Sequence, residues 1–313
     1  MHREISGDLV TYRFHSLPAE HLSHAVFTRL GGVSRLPFAT LNVGNSVGDE
    51  LPATTENHAR IFRYMGISPN RVVTAQQVHG NHVALATEED AGRVLQKTDG
   101  LVTQSARLAL MLRFADCQPV LLYDRARHAL GLFHVGWRGL AQGMVRRALE
   151  AMGRSFGSEP RDLLAALGPA IGPCCYEVGD DVATAMGYSL PDWRRVMRRD
   201  GARWRLDLSA GNADQLTDAG VAQIEQAGIC TCCGSSEFFS HRADKGLTGR
   251  FAVVAYLRER LAHEVSDLPQ GEPPRKVSPS VAFPASLHPR SLPGFGEHRI
   301  SPQGGKGEPG GRL

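Results

Sequence analysis

The 313-residue chain has no apolar run approaching the ~18–20 residues that a membrane-spanning helix needs. Its opening stretch, MHREISGDLVTYRF, has no apolar core of the secretory kind, so a cytoplasmic protein is expected. The nucleotide-phosphate loop GxxxxGK[ST] is missing. No two histidines stand one residue apart, which removes the His-x-His pairs that hold a multicopper cluster. Charge of one sign is scarce too. Lys and Arg total 35 against 32 Asp and Glu, an excess of +3 that gives no case for nucleic acid. The six cysteines are few for the length and have no secretory context, so they read as reduced thiols rather than a disulfide framework.

Proline and glycine are present but unevenly spread. Residues 266–313 hold nine of the 18 prolines and eight of the 34 glycines. That density suits neither helix nor central strand. A catalytic body over residues 1–263 and a disordered Pro/Gly-rich extension over 264–313 are therefore expected. Without the extension the body is nearly neutral, with 29 basic against 28 acidic residues up to position 265.

Within the body, short apolar segments read as strands at Ala25–Thr28, Val72–Ala75, Leu108–Phe114, Val120–Tyr123, Leu130–His134 and Leu163–Leu167. Helical spacing marks Thr54–Met65, Leu140–Met152, Asp181–Met186, Leu208–Gln226 and a closing amphipathic helix over Gly249–Leu261. The two types mix without strict alternation. The expected fold is therefore α/β, close to α+β: a single-domain, layered, mixed-sheet sandwich with helices on its outer faces.

Three segments run from an apolar strand into a metal-capable side chain and then turn. They are Gln76-Gln77-Val78-His79-Gly80, Ala115-Asp116-Cys117-Gln118-Pro119 and His134-Val135-Gly136-Trp137-Arg138-Gly139. His79, Cys117 and His134 make a three-ligand set that leaves a fourth position on Zn²⁺ for water, the catalytic pattern. A lone His or Cys at a strand end is more often a packed or hydrogen-bonded core residue, so spacing alone is weak evidence for a metal. Asp116 can accept from a ligating imidazole or cap a turn. The glycines around Trp137-Arg138 suit either a turn needing positive φ or close approach to an anion.

A second glycine segment, Thr28-Arg29-Leu30-Gly31-Gly32, suits a phosphate held by backbone N–H groups, or a plain turn. The Asn42 loop that follows can line the same cleft. Arg242 and Arg250 lie beside glycines near the end of the body. Pro173-Cys174-Cys175 lacks the C-x-x-C spacing of zinc nucleoside deaminases. Cys230-Thr231-Cys232-Cys233 can be a thiolate cluster, or small buried residues and reduced surface thiols.

The ordered set TRLGGVS, TLNVGNSVGD, QQVHG, TDGLVT, ADCQPVLLYD, HVGWRG, LGPAIGPCCYEVG and FFSHRADKGLTGR covers roughly residues 20–260. It resembles the family long labelled multicopper polyphenol oxidase or laccase-domain, whose members are described as zinc-dependent purine nucleoside phosphorylases and some as peptidoglycan-editing factors. The resemblance implies a single-domain sandwich with one zinc at a rim site on His79, Cys117 and His134. It also implies phosphorolysis of adenosine, inosine, guanosine and S-methyl-5'-thioadenosine, with adenosine deamination on the side. Purine nucleosides and inorganic phosphate are then the expected partners. Position 241 is His where many relatives carry Tyr.

On this reading phosphate sits among Arg29, Arg138, Arg242 and Arg250, whose guanidinium forks match its oxygens, with Asn42 in the same cleft. Asp116 and Glu177 are the candidate proton carriers. Three other readings stay open. One is a copper-dependent phenol oxidase, since two His and one Cys can hold copper. Another is a hydrolase editing a peptidoglycan precursor. The third is a metal-stabilised interaction module whose extension binds a partner.

Overall fold

The computed structural model describes residues 1–259, so the boundary expected near His263 and the extension after it lie outside the described residues. Two strands, Gln118–Asp124 and Ala129–Val135, are buried at every position and pair antiparallel. Strands covered on both faces need apolar residues on both, which explains their nearly unbroken apolar runs. They occupy the centre of a six-stranded sheet ordered Gln223–Gln226, Leu163–Leu167, Gln118–Asp124, Ala129–Val135, Gly100–Thr103, Val83–Leu85. A seven-stranded sheet runs His2–Ser6, Leu9–Arg13, Leu22–Phe27, Phe251–Leu257, Ala109–Phe114, Val72–Ala75, Val94–Leu95. Both sheets mix parallel and antiparallel neighbours.

Alternate side chains assign the layers. Leu121, Tyr123, Leu130 and Leu132 meet Leu110, Leu112, Phe114 and Val253 in the core between the sheets. Their neighbours Val120, Leu122, Phe133 and Val135 face outward onto helical residues such as Leu140, Met144 and Leu149. On the far side, Ala109, Met111, Ala252 and Val254 pack on Ile61 and Met65 of the Leu51–Met65 helix. The result is helix, sheet, sheet, helices: the expected sandwich. A small third sheet of Glu177–Val178, Arg203–Leu206 and Met197–Asp200 stands beside it. Among the described residues, no helix is long and apolar enough to cross a membrane.

Three expected helices differ. The segment read as a closing helix is the strand Phe251–Leu257, hydrogen-bonded between Leu22–Phe27 and Ala109–Phe114. Burial on both faces filled it with apolar residues, and some of them fell at helical spacing by coincidence. Leu140–Met152 is two helices, Trp137–Ala141 and Met144–Phe156, separated at Gly143 with φ +72°. Leu208–Gln226 stops as a helix at Asp218. Gly220 at φ +95° turns the chain into the Gln223–Gln226 strand, parallel to Leu163–Leu167.

Candidate active site

The three sequence-predicted ligands come together where the two sheets end side by side. His79 follows the Val72–Ala75 strand, Cys117 sits where the chain leaves the seven-stranded sheet for the six-stranded one, and His134 lies near the end of Ala129–Val135. Their ligand atoms all lie within 4.8 Å of one another. The two imidazoles stand edge to face with ring centres 4.9 Å apart. His134 is buried, Cys117 half-buried and His79 exposed, so the group opens to solvent on the His79 side.

Asp99 organises this centre, although the sequence reading did not single it out. Its carboxylate accepts backbone N–H bonds from Val78, His79 and Gly80 at 3.1, 2.9 and 2.9 Å. The same carboxylate stands 2.9 Å from His134 Nδ1. An Nδ1–H donated to Asp99 leaves Nε2 of His134 free to ligate. His79 is held at φ +61°, a conformation that costs a non-glycine residue on the order of 1 kcal/mol or more. The three N–H bonds to Asp99 offset that strain.

Asp116 therefore does not accept from the imidazole. It lies at φ +84°, and its carboxylate accepts from Thr231 Oγ1 and from the Arg242 backbone N–H, both at 2.7 Å. It ties two distant loops to the residue preceding Cys117.

Glycine at 136 is required by space, not by φ, which is −91°. A Cβ there would come within 2.9 Å of Cys117 Sγ and 3.5 Å of the His79 ring. At 139 it would come within 3.2 Å of the Gly80 carbonyl oxygen.

Electrostatics favour a charged metal ligand. Burial pushes the Cys117 thiol up, but the charges and hydrogen bonds of His134 and His79 outweigh it and hold the thiol well below its ordinary value. Burial lowers His134, yet Cys117 and Asp99 pull it above the usual imidazole range. Asp99 is pushed up by burial and brought below its ordinary value by His134 and the backbone N–H groups. A thiolate and two imidazoles in one cluster, one of them steered by a carboxylate, form a donor set that fits a divalent transition metal.

The arginines divide. Arg138 is exposed, with its guanidinium 4.5 Å from the Trp137 ring centre. Arg242 lies over Tyr176 at 5.4 Å, and its guanidinium donates to the carbonyls of Cys175 and Glu177 at 3.4 and 2.9 Å. Tyr176, like Asp99 absent from the predicted set, is pushed up by burial and by Cys117, with Arg242, Asp116 and Arg138 also acting on it. Arg250 is half-buried, lowered by burial and partly restored by Cys117 and Asp116.

Arg29 is spent elsewhere. It donates to the Ala39 and Ser235 carbonyls at 2.8 and 2.9 Å and stacks on Phe239. Gly31 and Gly32 have the same structural character. A Cβ on Gly32 would meet the Thr40 carbonyl at 2.2 Å, so this loop packs backbone on backbone. Asn42 is fully buried. Its Oδ1 accepts from Gly44 and Arg250 N–H groups, both at 2.8 Å, and its amide donates to Asp49 at 2.8 Å. Glu177 turns its carboxylate toward Arg203 and Arg205, at 3.7 and 3.9 Å. Gly44-Asn45-Ser46-Val47-Gly48 spells the GxSxG of a serine nucleophile elbow, but it lies in a turn that follows no strand.

A second metal-capable group lies in the neighbouring loops: Cys174, Cys175, Cys230 and Cys233.

The sequence profile of the family described as multi-copper polyphenol oxidoreductase laccase matches residues 23–258. The chain is 37% identical over 246 residues to a protein of Geobacillus stearothermophilus named purine nucleoside phosphorylase YlmD, covering 74% of this chain and 89% of that one. It is 42% identical over 230 residues to a purine nucleoside phosphorylase of Mycobacterium bovis, covering 74% and 90%. Among solved structures, YlmD from Geobacillus stearothermophilus superposes with a TM-score of 0.77 at 33% identity, over 82% of this chain and 98% of that one. The hypothetical protein YfiH of Bacillus licheniformis gives 0.76, also at 33% identity, over 81% and 97%.

Proposed function

The chain belongs to the multi-copper polyphenol oxidoreductase laccase family, and we propose that its activity is zinc-dependent phosphorolysis of purine nucleosides. The substrates in this reading are adenosine, inosine, guanosine and S-methyl-5'-thioadenosine. The products are the free base and the sugar 1-phosphate, and adenosine deamination is a side activity. The observation that carries the proposal is the convergence of His79, Cys117 and His134 on an open rim, with Arg138, Arg242 and Arg250 in the surrounding field. Relatives 37% and 42% identical are named purine nucleoside phosphorylases.

The residues divide the work as follows. Bound zinc would supply an electrophilic centre beside the base. Cys117 contributes negative charge to the ligand set, and Asp99 keeps the Nδ1 proton on His134 so that the ring presents Nε2. The exposed Arg138 guanidinium offers a fork for phosphate. Arg242 is aimed by the Cys175 and Glu177 carbonyls, and Arg250, whose guanidinium donates to the Thr248 and Gly249 carbonyls, feels the charges of Cys117 and Asp116. Phosphate held this way attacks the anomeric carbon as the bond to the purine nitrogen breaks; the sugar takes on oxocarbenium character, and the leaving base keeps the electron pair and gains the proton that hydrogen phosphate gives up. Asp116 acts as a positioning residue, because both of its oxygens are bonded to Thr231 and Arg242. Glu177 contributes its carbonyl to Arg242, while its carboxylate belongs to the surface ion pairs. Arg29 and Asn42 shape the loops behind the site.

The family description names copper, and the proposal differs from it on the donor sets present. Among the described residues these are one two-His, one-Cys group and one four-Cys group, neither of them a histidine-rich multicopper array. The deciding assay follows adenosine with and without phosphate, before and after chelation. Adenine and ribose 1-phosphate, formed only with phosphate and lost on chelation, are expected. Oxygen uptake with a phenol, or turnover of a mis-loaded muramyl nucleotide with no phosphorolysis, overturns the reading.

A further inference from the structure

The four-cysteine group shares no ligand with the site above. Cys174 and Cys175 lie in the turn between the Leu163–Leu167 and Glu177–Val178 strands. Cys230 and Cys233 lie in the loop after Gln223–Gln226, at C-x-x-C spacing. A backbone bridge aligns the two loops: Ala170 pairs with Cys230, and Thr231 N–H donates to the Ala170 carbonyl at 3.0 Å.

All four sulfurs lie within 4.8 Å of one another, and Cys233 Sγ is 3.4 Å from both Cys174 and Cys175 Sγ. Four thiolates bound tetrahedrally at ~2.3 Å sit about 3.8 Å apart, inside that spread. A disulfide needs ~2.05 Å, and all six cysteines of the chain are free. Cys230 Sγ also accepts backbone N–H bonds from Gly172 at 3.2 Å and Cys233 at 3.5 Å, the kind of outer partner that steadies a metal thiolate. A Cβ on Gly172 would come within 3.3 Å of Cys174 Sγ, so glycine there keeps the space beside the sulfurs open.

We propose that Cys174, Cys175, Cys230 and Cys233 form a second metal site, a closed tetrathiolate that holds one structural Zn²⁺. Soft thiolates in a tetrahedral set select zinc, and four protein ligands leave no position for substrate. The ion clamps two loops that reach directly into the candidate active site. Thr231, next to Cys230, bonds Asp116, and the Cys175 carbonyl accepts from the Arg242 guanidinium. Zinc at the four sulfurs thereby fixes the backbone before Cys117 and the aim of Arg242.

The test is a metal count on the full chain, independent of turnover. Wild-type protein loaded with Zn²⁺ alone is expected to retain two ions per chain. Cys117→Ala retains one, and Cys232→Ser, whose thiol lies outside both groups, retains two. Cobalt bound to the Cys117→Ala protein shows the charge-transfer bands of a tetrahedral thiolate site, and adding Cys233→Ser removes them. Should the double variant fold poorly, a mercurial titration of the Cys117→Ala, Cys232→Ser protein serves in its place, releasing one zinc for four thiols modified. One ion in wild type and none in Cys117→Ala, iron in place of zinc, or a disulfide joining Cys233 to Cys174 or Cys175 in freshly isolated protein overturns the proposal.

Discussion

The His79, Cys117 and His134 centre and the four-cysteine loop pair stand side by side, yet they are assembled by opposite means. The first draws its ligands from the ends of strands whose register is set by two apolar cores, and a carboxylate cradles its loop. The second draws all its ligands from loops, two of them exposed, joined by one isolated bridge. A site built on strands is expected to keep its geometry whether or not an ion is bound. A site built on loops needs the ion to hold its shape, and such an ion contributes to folding.

The largest effect that sharpens this contrast is expected from Cys117→Ala. Phosphorolysis falls to background while the thermal midpoint and circular dichroism stay close to wild type. A large loss of folding would show that the strand-borne centre also depends on its metal. Asp99→Asn comes next. Its amide cannot accept as a carboxylate does from three N–H groups and an imidazole, so zinc affinity at this centre drops by roughly 10–100-fold in a competition assay with a chromogenic chelator. Unchanged affinity would show that register alone orients the imidazoles.

Arg138→Ala is expected to act more mildly. It raises the KM for phosphate by about tenfold with a smaller change in kcat, since it removes one exposed charge-assisted contact. Unaltered phosphate kinetics would remove Arg138 from the site.

The smallest effect is read on metal-stripped protein by alkylation against pH. Burial pushes the Cys117 thiol up, but His134 and His79 bring it down to about 6, so it is largely thiolate at neutral pH and labels there. Burial and the hydrogen bond shared with Cys233 push Cys174 up to about 11, so its labelling keeps rising well above pH 9. Mass spectrometry of the labelled peptides distinguishes the two. Parallel profiles would erase the electrostatic difference between the sites.

Much of the first site was legible in the residues. His79, Cys117 and His134 each follow an apolar run and precede glycine or proline, which marks strand ends, and strand ends lie at a rim. Asp99 was not legible as a partner, because nothing local ties the start of Gly100–Thr103 to an imidazole 35 residues later; the pairing of that strand with Ala129–Val135 makes the contact. Asp116, readable from its neighbours as an acceptor from an imidazole or a cap of a turn, ties loops together in the structure. Its neighbours Thr231 and Arg242 arrive from more than a hundred residues away. The strand at Phe251–Leu257 was misread because double burial fills both faces with apolar residues and erases the period of two.

Residue type and local order alone marked the layered α/β architecture, His79, Cys117 and His134 as metal-capable candidates, and the near-neutral body. These follow from where apolar runs begin and end. Tertiary structure decided which carboxylate bonds the imidazole, which arginines are held by backbone carbonyls and which cysteines gather together. Cys175 and Cys230 are 55 positions apart, and the parallel pairing of Leu163–Leu167 with Gln223–Gln226, continued by the Ala170–Cys230 bridge, sets their loops side by side. Long-range contacts of this kind depend on strand order in a sheet, which the hydrophobic pattern of any one strand does not encode.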